Sequence, residues 1–114
     1  MAKISFEGIG EMVATFVAKN GLESGQVCKV TQSGEIGPCS TGERFCGGAV
    51  HVKEGLAAVQ VGGFLSVTYS GAVTAGWVKL TADGSGGVKT DAANGAEYLV
   101  VDVDTAGKTA VVLL

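Results

Sequence analysis

Apolar and polar residues alternate one for one through short stretches of this chain, and glycine-containing turns separate the stretches. Ala49-Val50-His51-Val52-Lys53 alternates, Glu54-Gly55 intervenes, and Ala57-Ala58-Val59-Gln60-Val61 alternates back. This pattern predicts a hairpin with Val50, Val52, Val59 and Val61 on one inner face and His51 on the polar face. A second hairpin is expected from residues 99–104 and 109–114 around Thr105-Ala106-Gly107-Lys108, with Val101 and Val103 inward and Asp102 and Asp104 toward water. Further strands are expected at 26–31, 64–69 and 77–82, with a short one near Val88. Residues 11–18 carry a mixed signal. Met12, Val13, Phe16 and Val17 form a helical stripe that Asn20-Gly21 would end, but the surrounding pattern favours a strand, and a strand is the expectation.

Composition sharpens this reading. The chain has 114 residues and 19 glycines, and the longest glycine-free stretch is the 11 residues 96–106. An interior glycine costs a helix about 1 kcal/mol relative to alanine, so helices have almost nowhere to sit. The β-branched residues (17 Val, 3 Ile and 9 Thr) suit a pleated surface. The fold class expected is all-β, with little or no helix: a small Gly-rich β-barrel or sandwich built of hairpins, in which closure removes open strand edges. Two stretches about 50 residues apart, SGQVCKVTQSGEI and AGWVKLTADGSGGV, share a Gly, a V-K-V/L-T core and a Gly turn, and each precedes a strong hairpin. Either the chain contains two similar β units packed as one barrel, or this is the common grammar of β proteins. The organisation expected is a flexible N-terminal arm, residues 1–10, and a single β-barrel domain, residues 11–114.

Charge and hydropathy narrow the function classes. The formal net charge is -3 and no segment is dense in Lys or Arg, which disfavours nucleic acid as a partner. Glu7, Gly8, Gly10 and Glu11 interrupt any apolar core of a signal peptide, so a cytoplasmic protein is expected. No apolar run approaches the roughly 20 residues of a membrane helix.

The candidate chemistry is sparse. His51 lacks the local frame of a catalytic histidine. Asp102 and Asp104 share a strand face and could chelate a cation, although solvated carboxylates are the commoner reading and no calcium-loop frame is present. Cys28, Cys39, Cys46 and His51 contain the atoms of a Cys3His zinc site, but their spacings of 11, 7 and 5 are not those of paired knuckle ligands. Ordinary packed thiols are therefore expected, without metal or other cofactor, and a Cys28–Cys39 disulfide is disfavoured in a reducing compartment. Asp83-Gly84-Ser85-Gly86-Gly87 lacks a phosphate-loop frame and reads as a β-turn. The Gly pairs 47–48 and 62–63 read as bulges or close strand crossings. Trp77, Tyr69, Tyr98 and the four Phe are too scattered for a base-stacking platform, leaving core packing or an oligomer interface. No enzyme reading emerges.

The stretch GAVTAGWVKLTADGSGGVKTDAANGAEYLVVDVDTAGKTAVVLL, with A-G-x-x-V-K-x-x-A-D-G-x-G-G-V-K and a closing apolar strand, resembles small β-barrel head decoration (capsid cement) proteins of tailed phages and prophages. GLESGQVCKVTQSGEI, RFCGGAVHV and AAVQVGGFLSVTYSG extend the likeness over residues 12–114, while the three cysteines depart from it. The resemblance implies a homo-oligomer, most often a trimer, on the outer surface of a major capsid protein lattice, assembled in the bacterial cytoplasm and carried on the virion. Ile4, Phe6 and Ile9 in the N-terminal arm are then the candidate capsid contacts, since an apolar arm can add a strand to a capsid edge. The alternatives are a small ligand- or metal-binding β-barrel module and a phage tail or fibre adaptor.

Overall fold

The computed structural model describes residues 10–114, and those residues contain ten strands and no helix. The first five are β1 (Met12–Ala18), β2 (Val27–Gln32), β3 (Glu35–Pro38), β4 (Gly47–Lys53) and β5 (Leu56–Gly62). They close into a barrel in the order β1-β3-β2-β4-β5, with β5 returning to β1. The second five are β6 (Phe64–Thr68), β7 (Gly76–Ala82), β8 (Val88–Thr90), β9 (Ala96–Asp104) and β10 (Thr109–Leu113). They form a sheet ordered β6-β10-β9-β7-β8, whose two ends meet through one parallel bridge between Tyr69 and Val88.

The two halves share one pairing scheme. In the first, β1 pairs antiparallel with β5 and parallel with β3, while β2 pairs antiparallel with β3 and β4. In the second, β6 pairs antiparallel with β10 and meets β8 through the parallel bridge, while β7 pairs antiparallel with β8 and β9. The closing hairpins even carry the same bulge. Register passes from Ala49↔Val59 to His51↔Ala58, skipping Val50, and from Val100↔Val112 to Asp102↔Val111, skipping Val101. Generic hairpin grammar does not reproduce a parallel closure and a bulge at matching positions, so the two halves are two copies of one β unit. The copies lie side by side, each curling on itself, and do not merge into one barrel.

These bulges correct two expectations: Val101, expected inward, is half-buried and outside the second core, where Val100 takes the inward place opposite Val112, and Val50 is turned outward. Val50 is 50% exposed, because the extra residue shifts the phase of β4 and sends Ala49, not Val50, inward opposite Val59. Val52 and Val61 are half-buried against the first core, and His51, Asp102 and Asp104 are exposed as the alternation predicts. β1 is a strand, as expected. Six of its residues pair with β5, whereas a helix there would leave the edges of β5 and β3 open. The other strands fall within a few residues of their expected positions, but β3 was not foreseen.

The loop 83–87 is an Asx turn, with Asp83 Oδ1 accepting from the amides of Ser85 at 2.7 Å and Gly87 at 3.1 Å. Asp83 Oδ2 accepts from Ser70 Oγ at 2.7 Å. Asp83→Ala is expected to lower stability by about 1–2 kcal/mol in urea titration through these lost bonds. An unchanged midpoint would show that the loop holds its shape without them.

Candidate functional site

Two features of the outer surface stand apart from ordinary packing. The first is an apolar row that crosses the second sheet. Phe64 pairs with Leu113, Leu113 with Leu99, and Leu99 with Trp77, so all four side chains share one face. Trp77 is 68% exposed and Leu113 is also exposed. The next row, Ser66–Val111–Asp102, and the neighbouring pair Lys79–Glu97 give the apolar row a mostly polar border.

The equivalent row of the first unit is Val13–Gln60–Gly48–Val27. There the second unit sits on top. A side chain at Gly48 would run into Leu65 of β6 at 2.8 Å, and Val27 is buried in the core of the second unit. The Val27 amide donates to the Gly86 carbonyl at 2.9 Å, and Gln60 Nε2 donates to the Phe64 carbonyl at 2.7 Å. One surface of the repeated unit is thus used twice. In the first copy it receives the second copy, and in the second copy Leu113 and Trp77 of it are exposed.

The second feature is a pair of neighbouring cysteines, of which Cys46 lines a groove of about 570 Å³ at the seam of the two units. Cys28 is buried on β2, and Cys46 is exposed just before β4, where its amide donates to the Cys28 carbonyl at 2.8 Å. The Cys28 thiol donates to the Gly47 carbonyl at 3.5 Å, and the two thiols lie close enough for each to shift the other's ionisation. The neighbouring Cys28, followed by backbone N–H groups, lowers the Cys46 thiol to about 7 despite partial burial. Cys46 and burial push Cys28 upward. Cys39 is pushed up to about 11 by burial, with the Glu43 carboxylate adding to it. Glu43 is itself held below the usual carboxylate range by its ion pair with Lys29 and by the Ser40 amide, which donates to it at 2.6 Å.

The structure therefore brings Cys28 and Cys46 together but leaves His51 outside their contact. Among the described residues, no group of three or more His, Cys, Asp or Glu side chains is placed to hold a metal ion. Asp104 Oδ1 accepts from the Gly107 amide at 3.1 Å and shapes the β9–β10 turn. Asp102 opens onto the cleft between the units together with Glu11. Ile4, Phe6 and Ile9 lie outside the described residues. The Gly10 carbonyl lies against Gly63, one residue from Phe64. Sequence reading missed that row and the thiol pair, because both arise from strand register between segments far apart in the chain.

In comparisons with known proteins, no family model and no curated protein matches this chain.

Proposed function

We propose that this chain is a structural capsid decoration protein of the tailed-phage type, which binds the outer surface of a major capsid protein lattice as a homo-oligomer and performs no catalysis. The observation that carries the reading is the apolar stretch Leu113–Leu99–Trp77, in which Leu113 and Trp77 are exposed and which is the counterpart of the stretch through which the first unit receives the second. In the proposed oligomer, the first unit of a second copy covers it. Such a contact is head-to-tail, and three chains close it into a ring of six units. Each chain of the ring contributes its own Ile4, Phe6 and Ile9 as candidate capsid contacts. Several weak contacts held in one ring bind a lattice far more tightly than one contact alone. A partner that binds only the assembled shell stabilises that shell by mass action.

Native mass spectrometry and cosedimentation with expanded phage capsids that lack their own decoration protein test the proposal. The wild-type protein is expected to be a trimer that sediments with capsids. Trp77→Glu is expected to give a folded monomer, because it places a charge in the apolar row without touching a core. Deleting residues 1–10 is expected to keep the trimer and lose capsid binding. A wild-type monomer at micromolar concentration overturns the oligomer, and a trimer that stays unbound overturns the capsid role.

A further inference from the structure

The Cys28–Cys46 pair has no part in that proposal, yet its geometry is that of a reactive dithiol. The 2.8 Å hydrogen bond from the Cys46 amide to the Cys28 carbonyl ties the two backbones together. Standard bond lengths on either side of it hold the two Cα atoms within about 6.7 Å. That lies inside the separation, up to about 6.8 Å, that a disulfide spans. The two thiols also lie close enough for each to shift the other's ionisation, Cys46 downward and Cys28 upward. Cys46 faces the groove together with Lys29, Arg44, Val61, Tyr98 and Leu114, which combine cationic groups with apolar walls.

We infer that Cys46 and Cys28 form a thiol–disulfide exchange site, with Cys46 as the attacking thiol, Cys28 as the resolving thiol, and a small carboxylate-bearing disulfide of the glutathione type as the oxidant consumed once per protein chain. The Cys46 thiolate attacks one sulfur of the small disulfide, forming a mixed disulfide and expelling a thiolate that takes a proton from water. Cys28 releases its proton to water and attacks Cys46 Sγ, which forms the Cys28–Cys46 bond and expels the second small thiolate. The protein dithiol loses two electrons and two protons, and the small disulfide is reduced to two thiols.

The division of roles follows from access and charge. Cys46 is exposed and its thiolate is populated near neutral pH, whereas the Cys28 thiol is pushed up by the neighbouring Cys46 and by burial. Once Cys46 is in the mixed disulfide it carries no charge, which removes its contribution to the upward shift of Cys28. Lys29, ion-paired with Glu43, and Arg44 bring positive charge to the groove and suit an anionic oxidant.

Incubating the reduced full-length protein with glutathione disulfide at neutral pH, quenching with acid and mapping peptides by mass spectrometry tests this site. Wild type is expected to lose two hydrogens in mass, with Cys28 linked to Cys46. Cys28→Ser is expected to stop with one glutathionyl group on Cys46, and Cys46→Ser to lose both products. If Cys28→Ser fails to fold, early quenching of the wild type decides the matter, since the mixed disulfide on Cys46 must precede the internal link. A wild type that stays fully reduced, or that reacts first at Cys39, overturns the assignment.

Discussion

Gly47→Ala is expected to destabilise the protein by about 3 kcal/mol or more, out of a total of roughly 5–15 kcal/mol for a domain of this kind. A Cβ at this position would lie 2.1 Å from the Gln60 carbonyl oxygen and 3.1 Å from its carbonyl carbon. Both are backbone atoms of β5, so no rotamer change relieves the overlap. Only a retreat of β4 from β5 would do so, and that retreat would break the hairpin holding Ala49 and Val59 in the first core. Gly34→Ala is the informative comparison. Gly34 has φ of +74° in the β2–β3 turn with nothing within 4 Å, so alanine there meets only the backbone cost of a left-handed conformation, about 1 kcal/mol. Urea titration of the two variants separates the causes. Equal losses would mean that the close approach at Gly47 carries no special weight, and that β4 moves freely.

The class of the fold was legible because strand period is a local property. Alternation and glycine spacing located most strands, and even the ambiguous stripe Met12, Val13, Phe16, Val17 yielded to the demand for closed edges. The likeness of SGQVCKVTQSGEI to AGWVKLTADGSGGV pointed to repetition, which the shared pairing scheme then established. What could not be read depends on register. Val50 lies one residue past Ala49 in an unbroken alternation, and nothing local announces the bulge that turns it outward. Cys28 and Cys46 are 18 positions apart and meet only because β2 and β4 are neighbours. Trp77, Leu99, Leu113 and Phe64 are scattered in sequence and become one surface only across four paired strands. A chain read residue by residue shows each as an isolated apolar residue in a strand. β3 was missed for a related reason. Glu35–Pro38 has four residues, contains a glycine and a proline, and is held by partners on both sides more than by its own pattern.

Phe45→Ala is expected to cost about 4 kcal/mol, the typical loss for a buried aromatic ring truncated to a methyl group. Phe45 belongs to the connection between β3 and β4 of the first unit, yet its ring is 2% exposed in a core with Leu80, Val88 and Val100 of the second. It stacks on Tyr98 with ring centroids 4.7 Å apart and planes 11° from parallel, and the Tyr98 hydroxyl donates to the Phe45 carbonyl at 3.0 Å. One side chain therefore spans the seam, and its loss leaves a cavity where the two copies of the unit meet. The consequence extends beyond the size of the loss. Trp77 is the single tryptophan of the chain and lies in the second unit, so its fluorescence follows that unit, whereas far-UV circular dichroism follows both. In the wild type the two signals should change together, as in a cooperative domain. In Phe45→Ala they should separate, because each unit has its own sheet and has lost the ring that tied their cores. A double-mutant cycle with Tyr98→Leu should return a coupling of about 1 kcal/mol for the stack. Coincident transitions, a loss below about 1 kcal/mol and additive effects would together mean that the seam is held by the backbone bonds at Val27 and by Gln60, with Phe45 filling space without joining the units.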